Sequence, residues 1–380
     1  MKFFLPKTAF CALFIAAALV PAAAAPSFSG LLDSKLTGAL GDGRNFTFGI
    51  EEYLNLRMQA KIGAIAQVYG AFNFTAFAGQ HALFAVPAPA KGDAGFVVGD
   101  NFASSIELER LYLQLAGDAF MLNAGLLRQA FGYGSVWSPA DFLNPRNPLI
   151  TDARPRAVLA VVGSYFPGDT SKIIAFAAAP KEPDNAGGQG VLGGLSAEKH
   201  WSIASIQGLY AYEVGKGGGL HRAGLSFKAD VYAGLYADAL WIFNPDDAAS
   251  LDGLSAAAGF DYSFGTREPK PFFQALVVQA EYLYSGAESQ TAAGRGGLYS
   301  KRHYLSAGVV YRATNYTAFT LSCLAGLEDG SVVPIAVFDQ TLSQGLSFTM
   351  TAQFFPVLSG EFGREGKTAA SLSVKLQARF

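Results

Sequence analysis

The last eleven residues, Ala370–Phe380 (ASLSVKLQARF), alternate strictly between apolar and polar side chains. The apolar set is Ala370, Leu372, Val374, Leu376, Ala378 and Phe380. A period of two puts one set on each face of a β-strand, whereas a helix would scatter the apolar residues around its axis. The same alternation runs through Phe46–Met58 and Leu346–Phe354. About ten alternating residues is the length that a strand needs to cross a bilayer obliquely.

The whole chain divides into segments of this kind. The predicted strands are 28–40, 46–58, 62–78, 104–115, 119–129, 157–166, 171–179, 189–197, 201–213, 219–228, 231–242, 253–264, 272–285, 301–312, 317–328, 331–339, 345–355 and 368–380. They predict an all-β fold, a transmembrane antiparallel up-and-down β-barrel of about 18 strands. Sixteen strands is the alternative, because 189–197 alternates weakly and Pro334 cannot donate to a strand ladder.

Connection lengths give a second indication of the barrel. With both termini on the periplasmic side, odd-numbered connections lie outside the cell and even-numbered ones face the periplasm. The three longest connections, 79–103, 130–156 and 286–300, all fall on the extracellular side. Short segments such as 117–118 and 229–230 fall on the periplasmic side as turns.

Composition agrees with a barrel whose outer face meets lipid. Hydrophobic residues make up 51% of the chain and charged residues 15%, yet no apolar run after Pro21 has the length of a membrane helix. In a barrel strand only every second residue faces lipid, so high apolarity arises without such runs. A large soluble β-sandwich is equally apolar, and the regular alternation favours the barrel.

The first residues predict export. Lys2 and Lys7 precede an apolar run from Ala9 to Val20, and the small residues Ala22–Ala25 follow. The run is too short for a membrane-spanning helix, which needs roughly 20 apolar residues, so it is typical of a cleaved signal peptide. We place the signal at 1–24 and a single barrel domain at 25–380. The predicted location is the outer membrane of a Gram-negative-type cell, with its lipid as a partner.

Several function classes are disfavoured. The chain has 28 Lys and Arg against 30 Asp and Glu, so it lacks the basic excess with which a protein binds nucleic acid. Cys323 is the one cysteine outside the predicted signal, and no Cys/His cluster has metal-binding spacing. No nucleophile motif, metalloprotease motif or phosphate-binding loop is present. We therefore expect no enzyme activity, no cofactor and no metal.

Alternation also predicts which side chains face the lumen. The predicted channel-lining residues are Glu51, Tyr53, Asn55, Arg57, Arg222, Lys228, Asp238, Glu281, Lys375 and Arg379. They are mixed in sign, and they form no ladder of Lys and Arg of the kind expected in a dedicated anion pore.

The stretch Gly125–Pro148 (GLLRQAFGYGSVWSPADFLNPRNP) resembles a segment of poorly characterised Gram-negative outer-membrane β-barrel proteins, which are porin-like and of the DUF1302 type. In that family a strand ending in Gly-Arg-Gln leads through an aromatic-Gly turn to Trp-x-Pro-x-Asp-x-x-Asn-Pro. Leu126 and Leu127 depart from the pattern. The matching residues are Gly125, Gly132, Gly134, Trp137, Pro139, Asp141, Asn144 and Pro145. The resemblance implies kinship and names no solute.

The same stretch predicts a structured loop. Ser138, Pro139 and Asp141 are typical of a helix start, as cap, first helical residue and first-turn acid. We expect loop 130–156 to fold into the barrel mouth and narrow it; the alternative is packing over the rim for stability alone. The predicted constriction residues are Trp137, Pro139, Asp141, Asn144, Arg146, Arg154 and Arg156.

The C-terminal strand carries a second resemblance. An alternating strand that ends in an aromatic residue resembles the assembly signal by which the barrel-insertion machinery recognises outer-membrane barrels. The matching positions here are Val374, Leu376 and Phe380, together with Ala378. The alternative is that Phe380 is an interfacial girdle residue.

The favoured function is a porin-like channel for passive diffusion of small solutes. One alternative is a transporter of hydrophobic compounds, similar to fatty-acid channels. Those proteins carry an N-terminal hatch, whereas here strand-like sequence begins close to the predicted cleavage site. The other alternative is a non-conducting surface or envelope-assembly barrel. Association into a homo-oligomer is left open by the sequence.

Overall fold

A computed structural model of the chain shows one antiparallel sheet that closes on itself. The structure describes residues 25–41, 45–80, 97–99, 101–144, 148–149, 155–179, 190–215, 218–244, 253–264, 276–286, 301–356, 362 and 368–380. Within these ranges, no helix combines the length and apolarity needed to span a membrane.

The described residues form nineteen strands, of which the short β4 was not predicted. In chain order they are β1 (Ser27–Leu40), β2 (Phe46–Ile62), β3 (Ala66–Gly79), β4 (Val97–Gly99), β5 (Phe102–Ala116), β6 (Phe120–Leu127), β7 (Val158–Gly168), β8 (Ser171–Ala179), β9 (Val191–His200), β10 (Ala204–Gly215), β11 (Gly218–Asp230), β12 (Gly234–Phe243), β13 (Leu254–Ser263), β14 (Leu276–Ser285), β15 (His303–Arg312), β16 (Thr317–Gly326), β17 (Val332–Ser343), β18 (Leu346–Phe354) and β19 (Ala370–Arg379).

Eighteen of these strands form the closed ring, and the prediction of an 18-stranded barrel is confirmed. Each ring strand pairs with its neighbours along the chain, and β19 pairs with β1 to close the seam. The three-residue β4 pairs with the start of β5 and lies outside the ring. The weakly alternating segment is strand β9, and Pro334 lies inside β17 opposite Cys323. The sixteen-strand alternative is therefore wrong.

The two ends of the barrel differ in their connections. We call the end where β1 begins and β19 ends the turn end, and short connections such as 63–65, 117–119 and 344–345 lie there. The opposite end is the loop end, and the strands that flank the three longest predicted connections meet there, in agreement with the parity argument. The sequence predicted the first connection at the turn end, between β2 and β3, too early, at 59–61. It lies at Gly63–Ile65 because β2 continues pairing with β3 as far as Ile62, opposite Ala66.

The seam carries a specific close contact. The backbone N–H of Gly30 on β1 donates to the carbonyl of Phe380 at 2.7 Å. A Cβ at position 30 would lie 2.3 Å from the Phe380 ring, so the ring covers the glycine and a larger residue there would displace it. The C-terminal aromatic residue is thus packed onto the strand that closes the barrel.

Candidate functional site inside the barrel

The chain between β6 and β7 turns into the barrel instead of leaving it. We call residues 128–144 the inner segment. Its backbone N–H groups donate to Glu281, which lies on β14, nearly opposite β6 in the ring. The N–H groups of Val136 and Trp137 lie 2.8 and 2.7 Å from the two carboxylate oxygens. The Tyr236 hydroxyl donates to the same carboxylate at 3.1 Å, and Glu281 is only 2% exposed.

A second carboxylate holds the preceding residues. Asp238 on β12 accepts the N–H of Tyr133 at 2.9 Å and that of Gly134 at 2.7 Å, and the Ser138 hydroxyl lies 2.8 Å away. Gln207 on β10 accepts the N–H of Gly132 at 2.8 Å. Hydrogen bonds from amides to a carboxylate are shorter and stronger than those between neutral groups. Both acids therefore act as anchors for the segment.

Two glycines make this approach of backbone to carboxylate feasible. Gly132 has φ +87°, in the left-handed region that glycine adopts without strain, and a Cβ there would lie 2.6 Å from Asp238 Oδ2. A Cβ on Gly134 would lie 1.7 Å from the carbonyl oxygen of Trp137. Gly132 is thus required by the close approach to Asp238, and Gly134 by the close approach of the segment to its own backbone at Trp137.

Tyr133, between these glycines, reaches a third acid. Its hydroxyl donates to Glu198 Oε1 at 2.5 Å. Burial raises the pKa of Tyr133, and the hydrogen bond to Glu198 raises it further. The phenol therefore keeps its proton, and its hydrogen bond, well into alkaline conditions.

Apolar side chains of the segment pack against inward-facing residues in two clusters. The first joins Phe131, Phe142 and Leu143 to the inner wall of β6–β12. The wall residues of this cluster are Leu127, Val158, Ala160, Val162, Ile174, Phe176, Ala178, Leu192, Leu209, Ala211, Leu240 and Ile242. The second cluster joins Trp137 to Tyr304, Leu283 and neighbouring residues of β13–β17. The segment thus has a hydrophobic core inside the barrel.

The predicted helix start is wrong, because residues 128–144 form turns and bends. The Ser138 hydroxyl lies near Asp238 and, at 3.0 Å, near the carbonyl of Phe131, so it does not cap a helix. The N–H of Asp141 donates to the Ser138 carbonyl at 2.9 Å, which closes a single turn around Pro139. The Ser138 side chain therefore contacts the barrel wall at Asp238 instead of capping a local helix.

The seven predicted constriction residues fall into three groups. Trp137, Pro139, Asp141 and Asn144 are buried within the inner segment. Asn144 accepts the N–H of Gln129 at 2.9 Å and donates to the carbonyl of Arg156 at 2.5 Å, which joins the two ends of the connection. The Arg156 side chain is exposed. Arg146 and Arg154 lie outside the described residues.

All ten predicted channel-lining residues lie on inward-facing positions, but only half of them are accessible. Those with accessible side chains are Glu51, Arg57, Lys228, Lys375 and Arg379. The buried ones are Tyr53, Asn55, Arg222, Asp238 and Glu281. The expectation that these five line an open lumen needs correction. Asp238 and Glu281 lie under the inner segment, and Arg222 contacts the Phe142 ring and pairs with Glu213 at 2.5 Å.

A further inner-wall cluster surrounds Glu109. The register of β3 against β5 shifts between Ala71 and Phe72, and this β-bulge turns both Glu109 and Arg110 inward. Glu109 Oε1 lies 2.9 Å from Arg128 and 3.2 Å from Arg110, and the Asn55 amide donates to the other oxygen. Burial lowers the pKa of Arg128, and the Glu109 charge opposes that shift.

Sequence reasoning missed this cluster and three of the wall contacts, those of Gln207, Glu198 and Tyr236. The signal for the bulge was present, because Glu109 and Arg110 are consecutive charged residues within an alternating strand.

The predicted assembly residues Val374 and Leu376 lie on the outward face of β19, and Phe380 follows them. Their role stays a prediction, which deletion of Phe380 and measurement of folded barrel in cells would test. No group of His, Cys, Asp and Glu in the described ranges has the arrangement of a metal site.

Comparison with known proteins shows solved structures that share the fold, but it assigns the chain to no family. No protein-family model matches the chain, and no curated protein matches it. The kinship with the DUF1302 type therefore stays a prediction. The chain is similar to OccK7 (OpdD) of Pseudomonas aeruginosa, with a TM-score of 0.58 and 11% identity, over 94% of this chain and 99% of that one.

OccAB4 of Acinetobacter baumannii matches with a TM-score of 0.57 and 8% identity, over 94% of this chain and 98% of that one. OccK8 (OprE) of Pseudomonas aeruginosa matches with a TM-score of 0.52 and 10% identity, over 93% of this chain and 98% of that one. At these identities the likeness concerns the fold. The chain thus shares the closed-barrel fold of these three proteins over nearly its whole length.

Proposed function

We propose that the protein is a porin-like channel of a Gram-negative-type outer membrane, through which small solutes diffuse passively. The observation that carries this proposal is the accessible inner wall of the strands around the seam. Lys35 and Glu51 face inward on β1 and β2, pair at 3.7 Å, and have side chains 23% and 29% exposed. An 18-stranded barrel encloses an aqueous channel unless it is plugged, and here the inner segment packs on the other side.

The inner segment is the proposed constriction. It crosses from β6 to β14 and is held there by Asp238 and Glu281. The apolar inner wall of β6–β12 is covered by this segment, which favours a hydrophilic route along the seam over a path for hydrophobic compounds. The proposed mature chain begins at residue 25, after removal of the signal at 1–24.

Conductance in planar bilayers tests both parts of the proposal. The refolded protein should give discrete single-channel steps, and deletion of residues 133–150 should raise the step size. Unchanged steps would remove the constriction. A protein that inserts, shown by heat-modifiable gel mobility, but never conducts would be a non-conducting anchor.

A further inference from the structure

The outward face of β2 carries one carboxylate. Glu52 belongs to the same face as the apolar residues Ile50 and Leu54, and its register partners are Ser34 on β1 and Ala76 on β3. The Ser34 hydroxyl donates to Glu52 Oε2 at 2.6 Å. Among the described residues, this is the one hydrogen bond that the Glu52 carboxylate accepts. A charged group therefore lies where the other side chains of the face would meet lipid.

No other outward-facing position of the described strands holds an acidic residue. The basic residues on this face are Lys199, His221 and His303, and all three lie close to strand ends. Groups at strand ends reach the membrane interface, where charge costs little. Glu52 differs from them because it lies inside its strand.

The position of Glu52 along β2 places it at mid-depth. It lies six positions along the chain from Phe46 towards the loop end and six from Met58, which pairs with Phe28, towards the turn end. At about 3.3 Å per residue and the usual strand tilt, each aromatic level lies roughly 15 Å away. The outward apolar band of such barrels is about 25 Å tall. An ionisable residue near its centre is costly and is by default a functional-site hypothesis.

The side chains next to Glu52 on both neighbouring strands are small. They are Ser34 on β1 and Ala76 on β3, with Ser104 on β5 beyond Ala76, and in the other direction the row ends at Leu376 on β19. Larger side chains border this row on both sides. They are Leu32, Leu54, Phe74 and Ile106 on one side and Leu36, Ile50 and Phe102 on the other. Small residues at such a place allow another protein surface to approach closely in a membrane. We call Ser34, Glu52, Ala76 and Ser104 the polar recess.

We propose that the polar recess is the contact surface for a second copy of this chain, with two Glu52 carboxyls paired across a two-fold axis. A partner must present a hydrogen-bonding group at this depth. A second copy inserted in the same direction necessarily presents Glu52 at the same depth, and a two-fold contact joins identical patches. A protonated carboxyl of one copy donates to the carboxyl of the other, and each accepts from its own Ser34. The inference rests on the proposed membrane insertion, and not on conduction.

Thiol cross-linking in isolated outer membranes tests the contact. In a Cys323→Ser background, Ala76→Cys places a thiol one strand away from Glu52. A two-fold axis through the Glu52 pair puts the two thiols on opposite sides of the axis, roughly 10 Å apart along the surface, which is too far for a direct disulfide. A flexible bismaleimide that is longer than this separation joins the two thiols. We expect a cross-linked dimer. The matched control is Ala258→Cys, which faces outward on β13 at the opposite side of the ring and should stay monomeric.

Substitution of Glu52 in the Ala76→Cys chain shows whether the dimer depends on the carboxyl or only on the small side chains around it. Glu52→Gln keeps a self-complementary amide and should keep the dimer. Glu52→Leu removes the hydrogen bonds across the contact, so cross-linking should fall about tenfold, which corresponds to about 1.4 kcal/mol. Equal cross-linking of Glu52→Leu, a dimer from Ala258→Cys, absence of dimer, or a cross-link to a different protein would each overturn the proposal. A chain without heat-modifiable mobility has failed to insert, which refutes the proposed function instead.

Discussion

The inner wall of this barrel has two sides that obey the same alternation but differ in what covers them. On the packed side, formed by the inward-facing residues of β6–β17 that the inner segment covers, Val162, Ile174 and Leu240 are at most 1% exposed. On the open side, formed by β19, β1 and β2, the side chains of Lys35 and Glu51 are 23% and 29% exposed. The large apolar inward residues therefore concentrate where the inner segment covers the wall, and accessible charged residues lie around the seam.

The acids on the two sides differ accordingly. Glu51 forms a partly exposed ion pair, which contributes little to stability because water screens it. Glu281 and Asp238 are buried, and a buried charge is tolerated only when hydrogen bonds satisfy it. Each receives N–H groups from the inner segment. The same residue type therefore stabilises a fixed segment on one side and remains solvated on the other.

The largest expected effect comes from Glu281→Ala. The substitution removes the acceptor of three backbone N–H groups and of the Tyr236 hydroxyl. Each buried donor left without a partner costs about 1–3 kcal/mol, so we expect the segment to detach, the free energy of unfolding to fall by several kcal/mol and the single-channel conductance to rise. Urea unfolding in vesicles and planar-bilayer recording measure the two effects.

Two controls accompany this variant. Glu281→Gln keeps one accepting oxygen and should give an intermediate loss. Glu51→Ala removes an acid on the open side and should change the free energy of unfolding by less than about 1 kcal/mol. Equal losses in Glu281→Ala and Glu51→Ala would show that the two sides do not differ as described.

The strand pattern could be predicted from sequence because alternation is local and each strand carries it. Even β9, with its weak alternation, followed from the parity of the connections. The packed side could not be predicted, because inward alternation identifies a face and not what covers it. Asp238 and Glu281 were predicted as wall residues, yet their partners lie more than 100 residues away along the chain. Ser138 shows the same limit, since a distant carboxylate competes with the local cap.

A smaller effect is expected from charge reversal on the open side. Lys375 faces inward on β19, opposite Lys35 in register. One unit charge about 8 Å from a permeating ion contributes roughly 0.5 kcal/mol in water. Lys375→Glu changes the charge by two units and acts with opposite sign on cations and anions, which amounts to roughly 2 kcal/mol in the permeability ratio without salt. Screening over about one Debye length reduces this to roughly 1 kcal/mol, so the cation-to-anion permeability ratio should change about fivefold towards cations. The reversal potential in unequal salt measures it. Glu51→Gln should shift the ratio the opposite way, and an unchanged reversal potential in both variants would place the solute route elsewhere.

The most local effect is expected from Tyr133→Phe, which removes the single hydrogen bond from Tyr133 to Glu198 on β9. Its loss should cost about 1–2 kcal/mol near neutral pH. Because burial and Glu198 raise the pKa of Tyr133, the folded chain holds the phenolic proton above pH 10.0, where an unfolded tyrosine releases it. The contribution is therefore complete below pH 10.0 and declines as the pH rises above it. The difference in free energy of unfolding between wild type and Tyr133→Phe should shrink between pH 8 and pH 11, and a constant difference would mean that Tyr133 is not held as described.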